Sequence, residues 1–309
     1  MIFNRKKLIS DFKWLKKKNL PMIISADYDG LICAAFLHHH LNWRIEGYYD
    51  LSNIWISKTG INNKEDLIWV DLNILPKQGK AIGGHIISIE GDVPIGFQSS
   101  CNPNILAGIT SKKFNNKFPF STLLYLLWIH NINIDKNLFS RMLILHADST
   151  WLKLQHYNDN CKVWKEQLND YNWNTIFNEV TTKNFEKQID NKLYPILHNM
   201  DAISSKSKLK GKFYNTHSKQ YQFNPDWDED VIIELLNLFA GNLGWTPPKL
   251  PGIIKSIKGI RKKVPLALVK EIGISNFIKK NFIFSYSIPS PRIFNFTSFV
   301  KSNKSPISN

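Results

Sequence analysis

The chain has little cysteine and no long apolar segment. Its 309 residues include three cysteines, Cys33, Cys101 and Cys161, which are far apart and odd in number. This usage argues against a disulfide framework and a zinc site, and it favours a reducing cytoplasm. No apolar run reaches the roughly 18 residues that a membrane span needs, so no membrane association is expected. The first 18 residues hold seven Lys or Arg without an apolar core, which is not the pattern of a signal peptide.

Positive charge is in excess and is concentrated toward the C-terminus. The net charge is +15, and residues 200–309 hold 17 Lys or Arg against 7 Asp or Glu. A basic region of this kind is typical of proteins that bind polyanions, nucleic acid first. The alternative is a set of solvated lysines in a lysine-rich proteome. Hydrophobic residues make up 43% of the chain, which is enough for a packed core.

Apolar strand-like runs alternate with helical patterns in the first half of the chain. This order predicts an α/β fold with a doubly wound, mostly parallel sheet and a second, smaller basic C-terminal domain. We expect a first domain at 1–160, a helical connector at 161–200 and a basic substrate-binding domain at 201–309. The stretch 204–212 is predicted to be a linker or exposed loop, and 301–309 a polar tail. The predicted strands are 22–25, 44–50, 66–70, 81–82 and 141–145.

Acidic residues follow three of these predicted strands. Asp27 and Asp29 come after the first, Asp71 after the third and Asp148 after the fifth. Ligand sites of parallel sheets lie beyond the carboxyl ends of the strands, so these carboxylates can converge. Converging carboxylates raise each other's pKa, and a metal ion relieves that cost. For Asp27 alone, the competing interpretation is a turn that caps the next helix.

The ordered set of motifs resembles the DHH phosphoesterase superfamily, which includes RecJ-type exonucleases. The resemblance covers residues 20–155, from Asp27-Tyr28-Asp29-Gly30 through Asp71 and Gly83-Gly84-His85 to His146-Ala147-Asp148. It implies metal ligands at Asp27, Asp29, Asp71 and Asp148, and a catalytic site completed by His85, which would face the substrate phosphate. Carboxylates with imidazole suit Mn²⁺ or Mg²⁺ better than zinc.

The third motif departs from the family pattern. The family triplet is Asp-His-His, and here it reads Gly83-Gly84-His85. Either the metal site is rebuilt with fewer ligands, with one ion instead of two, or it no longer turns over. His146 or one of the histidines at 38–40 could substitute as a ligand, although histidines on apolar helices or strands are more often packed or surface residues.

Further candidates for substrate binding lie after the third motif and in the basic C-terminal third. Turn residues and lysines downstream of His85 could contact a phosphate or a base, and lysines with aromatic neighbours are typical of single-strand binding. The competing interpretations are an Asn-Pro turn and a solvated helix face. The candidates are Asn102, Asn104, Lys112, Lys117, Lys258, Arg261 and Lys262.

These observations predict a metal-dependent phosphodiesterase that acts on single-stranded DNA or RNA or on short oligonucleotides. The main alternative is a catalytically impaired DHH-like subunit that binds nucleic acid or nucleotide within a larger complex with a protein partner. Cyclic dinucleotides remain open as substrates. A haloacid dehalogenase-type phosphatase would also fit Asp27-Tyr28-Asp29-Gly30, but the acidic pair that it needs downstream is missing.

Overall fold

A computed structural model describes residues 2–76, 79–134, 137–204 and 209–299. Residues 205–208 of the predicted linker and the whole predicted tail at 301–309 lie outside the described residues. Within the described ranges, no helix has both the length and the hydropathy needed to cross a membrane.

Helices make up most of the regular structure. They are α1 (Arg5–Asp11), α2 (Tyr28–Leu41), α3 (Lys58–Asn62), α4 (Pro103–Leu106), α5 (Thr122–His130), α6 (Leu138–His146), α7 (Thr150–His156), α8 (Asn158–Gln167), α9 (Asn174–Phe177), α10 (Lys183–Gln188), α11 (Tyr194–Asn199), α12 (Glu229–Leu243), α13 (Leu266–Ile272) and α14 (Ile274–Asn281). Short 3-10 turns are formed by Lys13–Lys16, Ile95–Ser99, Ser111–Asn116 and Ala147–Ser149, and a π-helical turn by Ile189–Leu193.

The strands form two sheets. They are β1 (Pro21–Ser25), β2 (Arg44–Tyr49), β3 (Asn53–Ser57), β4 (Ile68–Val70), β5 (Lys80–Ile82), β6 (Ser100–Cys101), β7 (Ile253–Lys258), β8 (Ile260–Pro265), β9 (Ile283–Ser290) and β10 (Ile293–Ser298). The larger sheet has the order β6-β5-β4-β1-β2-β3-β7, and the smaller has the order β8-β10-β9.

The larger sheet is mostly parallel. Strands β6, β5, β4, β1 and β2 pair in parallel, whereas β3 is antiparallel to β2 and β7 is antiparallel to β3. The smaller sheet is antiparallel. The α/β class with a mostly parallel sheet is therefore as predicted. The predicted domain boundaries stay a prediction, and β7 shows that residues 253–258 extend the sheet that the first 101 residues build.

Both faces of the larger sheet are buried, which explains the continuous apolar runs. In β1, Met22 and Ile24 pack into the main core on one face, and Ile23 packs with Trp69 on the other. On the first face the ring of Tyr28 in α2 packs edge-on against Phe239 of α12, with ring centroids 5.1 Å apart. Strands that are buried on both faces show no alternation of polar and apolar residues.

The predicted strand at 141–145 is wrong, because these residues belong to helix α6. The side chain of Asn137 caps this helix by accepting a hydrogen bond from Ser140 N at 2.8 Å. The helix is buried along residues 140–146, so its apolar run has no visible helical period. A short apolar run cannot be assigned to strand or helix from periodicity alone. Asp148 therefore follows a helix rather than a strand.

The basic segment 253–263 forms strands rather than a helix. It supplies β7 and most of β8, joined at Gly259, and thereby connects the two sheets. Aromatic and polar residues alternate along 282–299, and this segment forms strands β9 and β10.

Candidate metal and phosphate site

A cavity of about 400 Å³ lies beyond the carboxyl ends of β1 and β4. These two strands are parallel neighbours, so the residues that follow them emerge at the same edge of the sheet. Residues 286–289 of β9 close the opposite wall, so both sheets contribute to the cavity. Its polar lining includes Ser25, Asp27, Asp50, Asp71, Asn73, His85, Lys117, Asp148, Gln222 and Ser287.

Asp27 and Asp71 share one hydroxyl group. Ser25 Oγ lies 2.7 Å from Asp27 Oδ1 and 2.7 Å from Asp71 Oδ2. Asp27 Oδ1 also caps α2 by accepting a hydrogen bond from Gly30 N at 3.0 Å. Asp27 therefore both caps α2 and lies beside the carboxylate of Asp71. Glycine is needed at position 30 because a Cβ there would lie 2.2 Å from the backbone oxygen of Ser25.

Asp29 is fixed by the first turn of α5. Its Oδ2 accepts a hydrogen bond from Thr122 N at 2.8 Å, and its Oδ1 accepts one from Leu123 N at 3.3 Å. The amino end of a helix favours a negative charge, so this carboxylate is held in a fixed orientation. The same helix also binds Asp71, because Thr122 Oγ1 donates to Asp71 Oδ1 at 2.6 Å.

Asp148 enters the site on a sharply turned backbone. Asp148 and Ser149 both have left-handed φ angles, of 53° and 54°, between α6 and α7. Asp71 is also left-handed, with a φ of 57°. Such angles are uncommon outside glycine, although Asp and Asn tolerate them best, and they cluster at functional sites. Lys153 donates to Asp148 Oδ2 at 2.8 Å and holds the carboxylate in place.

His85 joins the carboxylates. Its Nε2 lies 2.9 Å from Asp71 Oδ1, and the imidazole is 40% exposed toward the cavity. One ligand atom each from Asp29, His85 and Asp148 all lie within 4.8 Å of one another. These distances fit a divalent cation, because oxygen ligands lie ~2.0–2.6 Å from Mg²⁺ or Ca²⁺.

Negative charge is concentrated enough to perturb the acidic groups. Burial and the neighbouring Asp71 raise the pKa of Asp27 to about 7, and the same two causes raise the pKa of Asp29 well above its usual range. Burial acts to raise the pKa of Asp148, but Lys153 and His85 hold it below its usual range. Burial acts to lower the pKa of His85, but Asp71 and Asp148 raise it to about 10. A cation would relieve this repulsion.

The segment Gly83-Gly84-His85 leaves no room for a larger side chain at its second position, Gly84. A Cβ at Gly84 would lie 2.6 Å from Cδ1 of Phe118, whose ring fills the adjacent space. The three atoms nearest to a Cβ at this position are therefore carbon atoms of a phenylalanine ring.

Asn102 and Asn104 do not line the cavity, contrary to their predicted role in substrate binding. They are 1% and 0% exposed. Asn102 Nδ2 donates to Asn73 Oδ1 at 3.0 Å, and Asn104 Nδ2 donates to the backbone oxygen of Gly84 at 2.7 Å. Both side chains thus support the loop that carries His85, because buried amides need hydrogen-bond partners.

The predicted basic residues are divided between the cavity and the surface. Lys117 lines the cavity, whereas Lys112 is exposed on the 3-10 turn Ser111–Asn116 and lines a different pocket. Lys258 lies at the end of β7, and Arg261 and Lys262 lie on β8, all exposed. None of these three lines the cavity of the acidic site.

Asn73 and Lys153 were not predicted, although both belong to the site. Asn73 is 5% exposed, and its Nδ2 is a buried donor without a hydrogen-bond partner among the described residues. A buried donor of this kind costs free energy unless a ligand accepts from it. The spacing Asp71-Leu72-Asn73, with a second polar side chain two residues after the first, is the signal that could have identified it.

The alternative histidine ligands lie outside the cavity. His146 is fully buried against the rings of Tyr28 and Tyr194. His40 packs on Phe36, with ring centroids 4.6 Å apart, and none of the histidines at 38–40 lines the cavity.

The buried histidines predict a loss of stability in acid. Burial, with Lys16 nearby, lowers the pKa of His130 to about 3, and burial with His39 nearby lowers that of His40 to about 4. These two histidines thus bind fewer protons in the folded chain than in the unfolded chain, where they titrate near 6.5. We expect His130 to lower the free energy of unfolding by roughly 1 kcal/mol per pH unit as the pH drops below about 6.5, an effect that the raised pKa values of Asp27 and Asp29 oppose.

Urea unfolding between pH 7 and pH 5 measures this effect. His130→Gln should flatten the dependence on pH, whereas the exposed His156 serves as the control through His156→Gln. An unchanged slope in His130→Gln would contradict the assignment.

Comparison of the chain with protein-family models, with curated proteins and with solved structures found no match.

Proposed function

We propose that the chain is a DHH-like, metal-dependent phosphodiesterase that acts on single-stranded nucleic acid or short oligonucleotides. The observation that carries this proposal is that the carboxylates of Asp27, Asp71 and Asp148 and the imidazole of His85 line one cavity, with a ligand atom of Asp29 within 4.8 Å of those of His85 and Asp148. Carboxylates this close are costly without a cation. The ordered motifs in which they occur are those of the DHH resemblance. A location in the reducing cytoplasm and a protein partner stay predictions.

The donor set suits Mn²⁺ or Mg²⁺, which prefer carboxylate oxygens. Asp27, Asp29, Asp71 and Asp148 would hold the ion. When bound, such an ion lowers the pKa of a water molecule and polarises a phosphate oxygen.

The chain's own residues are suited to a phosphate. Asn73 Nδ2 is a buried donor without a partner among the described residues, and an anionic oxygen would satisfy it. Lys117 lines the same cavity and adds positive charge. His85 faces the cavity with its Nε2 2.9 Å from Asp71 Oδ1, and it can hold or protonate a phosphate oxygen. Together these groups would orient a phosphodiester against the carboxylates.

The smaller sheet has a basic face, formed by Arg261 and Lys263 of β8, that supports a polyanionic substrate. Residues that lie directly opposite each other in antiparallel strands share a face. Arg261 and Lys263 each begin a row of such residues that leads toward the cavity. One row is Lys263–Asn295–Ser287, and Ser287 lines the cavity. In the other row, Arg261 pairs with Thr297, which donates to the backbone oxygen of Leu51 on the cavity wall.

A nuclease assay tests the proposal. A labelled single-stranded oligonucleotide is incubated with Mn²⁺, with Mg²⁺ and with a chelator. We expect hydrolysis that depends on the metal and products that carry one terminal phosphate. Hydrolysis that persists in the chelator, or no hydrolysis with either metal, would overturn the proposed activity. Cyclic dinucleotides are assayed in parallel, because the same carboxylates could act on them.

The basic face predicts binding that weakens with salt. We expect Arg261→Ala with Lys263→Ala to lower the slope of log affinity against log salt by about 0.7 for each phosphate that the variant no longer neutralises. Lys279→Ala with Lys280→Ala is the matched control, since both lysines are exposed on α14 and neither belongs to the two rows. Fluorescence anisotropy of a labelled single strand measures the slope. An equal change of slope in the Lys279→Ala and Lys280→Ala double variant would show that the slope depends on total charge and not on this face.

A second candidate function rests on the glycine triplet. With a phenylalanine ring beside Gly84, the site has fewer ligands than the family pattern, which favours a subunit that binds nucleic acid or nucleotide without hydrolysis. Salt-dependent binding together with absent hydrolysis is the result that would select it.

A further inference from the structure

We propose that a basic pocket beside the acidic cavity, the outer pocket, binds a second phosphodiester group of the substrate strand. Residues 111–116 and Pro291 line this pocket, which has a volume of about 290 Å³. The inference rests on the proposed function and deepens it, because it assigns to the site a substrate with two neighbouring phosphates rather than one isolated phosphodiester group.

The outer pocket contains a buried hydroxyl group without a hydrogen-bond partner. Ser111 lines the pocket and is 7% exposed, and its Oγ meets no donor or acceptor within the part of the chain that the structure describes. Its backbone is fixed, because Ser111 N donates to the backbone oxygen of Ser88 at 2.9 Å, three residues after His85. A buried hydroxyl group without a partner costs free energy, and an anionic oxygen that accepts its hydrogen bond removes that cost.

The charges that surround this hydroxyl group favour an anion. Lys112 and Lys113 line the outer pocket and are exposed, and no acidic residue is among its described lining residues. The neighbouring cavity has the opposite character, since it is lined by four aspartates, Asp27, Asp50, Asp71 and Asp148. Serine hydroxyl groups and lysine ammonium groups are common partners of nucleic-acid phosphates. The outer pocket therefore suits a phosphate oxygen, whereas the carboxylates of the cavity suit a cation.

The same two segments of the chain form walls of the outer pocket and of the acidic cavity. Lys117 and Pro289 line the cavity, while Phe114 and Pro291 line the outer pocket. Lys117 Nζ lies 4.8 Å from the centroid of the Phe114 ring, so these two side chains are in contact where the two spaces meet. Pro289 and Pro291 are separated by at most ~7 Å, the length of two extended residues. Neighbouring phosphates of an extended single strand can span such a distance.

The two spaces together determine how much of a strand the site contacts. One phosphodiester group at the acidic cavity leaves the Ser111 hydroxyl group unpaired, whereas a second, neighbouring group supplies an acceptor for it. We expect this hydrogen bond to account for roughly a tenfold gain in affinity, as is usual for a hydrogen bond to a charged acceptor. The gain should belong to substrates with two phosphodiester groups and not to those with one.

Binding of the deoxythymidine oligonucleotides TpT and TpTpT tests the inference, because they contain one and two phosphodiester groups. Their affinities are measured by calorimetric titration in Ca²⁺, with chromatography to verify that both stay intact. We expect TpTpT to bind more tightly than TpT, and we expect Ser111→Ala to reduce this difference roughly tenfold without changing the affinity for TpT. Lys112→Ala with Lys113→Ala should lower the salt slope for TpTpT by about 0.7. An equal difference in Ser111→Ala and in the unmodified protein would overturn the inference.

Two controls address total charge and folding. Lys17→Ala with Lys18→Ala removes two neighbouring exposed lysines that precede the amino end of β1, away from the cavity at its carboxyl end, and should leave the slope unchanged. Because the Ser111 hydroxyl group has no partner among the described residues, Ser111→Ala should not lower the melting temperature, which thermal unfolding measures.

Two further comparisons identify the phosphate and separate this inference from the proposed function. The dinucleotide pTpT carries its second phosphate at the 5′ terminus, and a Ser111-dependent gain confined to pTpT would overturn the assignment to a phosphodiester group. Ser111-dependent binding of TpTpT without hydrolysis in Mn²⁺ would overturn only the proposed activity. Hydrolysis of TpTpT with an affinity that does not depend on Ser111 would overturn only the role of the outer pocket.

Discussion

Asp71→Asn is expected to lower Mn²⁺-dependent hydrolysis by more than about 100-fold, the upper end of the loss that removal of a residue merely supporting a metal ligand produces. Asp71 lies at the centre of the site, since its two oxygens meet Ser25, Thr122 and His85. Asparagine keeps the shape and tolerates the left-handed φ of 57°, so the change removes charge and leaves the backbone intact. Hydrolysis rate and Mn²⁺ affinity are measured together. We expect Asp148→Asn, also at a left-handed position, to have the same effect.

The matched control for this pair is Asp66→Asn. Asp66 lies five residues before Asp71, and its side chain forms a surface ion pair with Lys80 at 3.5 Å. Such pairs contribute little, so both rate and affinity should stay unchanged. Equal losses in Asp66→Asn and Asp71→Asn would point to a general effect of charge. Full activity in Asp71→Asn would contradict the carboxylate site.

The convergence of Asp27 and Asp71 could be predicted because it follows from strand order. Each residue comes shortly after an apolar run that no helix period explains, and parallel neighbours bring such residues to one edge. The prediction needed the two runs to be strands, and their apolar character is typical of strands buried on both faces.

Asp148 was predicted to belong to the site because it was expected to follow a strand, and that strand was wrong. Its apolar run is helix α6, and the residue reaches the carboxylates through two consecutive left-handed residues. Sequence patterns carry little information on such turns when the residues are not glycine. The resemblance of His146-Ala147-Asp148 to a family motif located the residue independently of the secondary structure.

The hydrogen bonds that support the loop carrying His85 could not be predicted from the sequence, because they join distant segments. Asn102 meets Asn73 across 29 residues, and Asn104 meets Gly84 across 20. An exposed turn and a buried polar anchor share the same Asn-Pro sequence, and only the fold decides between them. The basic residues of β8 show the same limit, since strand register alone determines that Arg261 and Lys262 lie on opposite faces of the smaller sheet.

The second large expected effect concerns Gly84 and the free energy of unfolding. We expect Gly84→Ala to lower the free energy of unfolding by about 1–3 kcal/mol, the usual cost of overpacking. A Cβ at this position would lie 2.6 Å from Cδ1 of Phe118, which is 3% exposed and has little room to move. Neither Gly83 nor Gly84 has a positive φ, so the obstacle is the ring and not the backbone angle. Urea unfolding measures the change.

Two comparisons make this prediction specific. Gly241 lies inside helix α12 with no atom within 4 Å of its Cβ direction, so Gly241→Ala should raise stability by up to about 1 kcal/mol. Phe118→Val removes the ring, and residues in direct contact are energetically coupled. The double variant with Gly84→Ala should therefore cost less than the two single changes added together. Additive costs, or a neutral Gly84→Ala, would show that Phe118 does not limit this position. Gly84→His would then be expected to fit without repacking of Phe118.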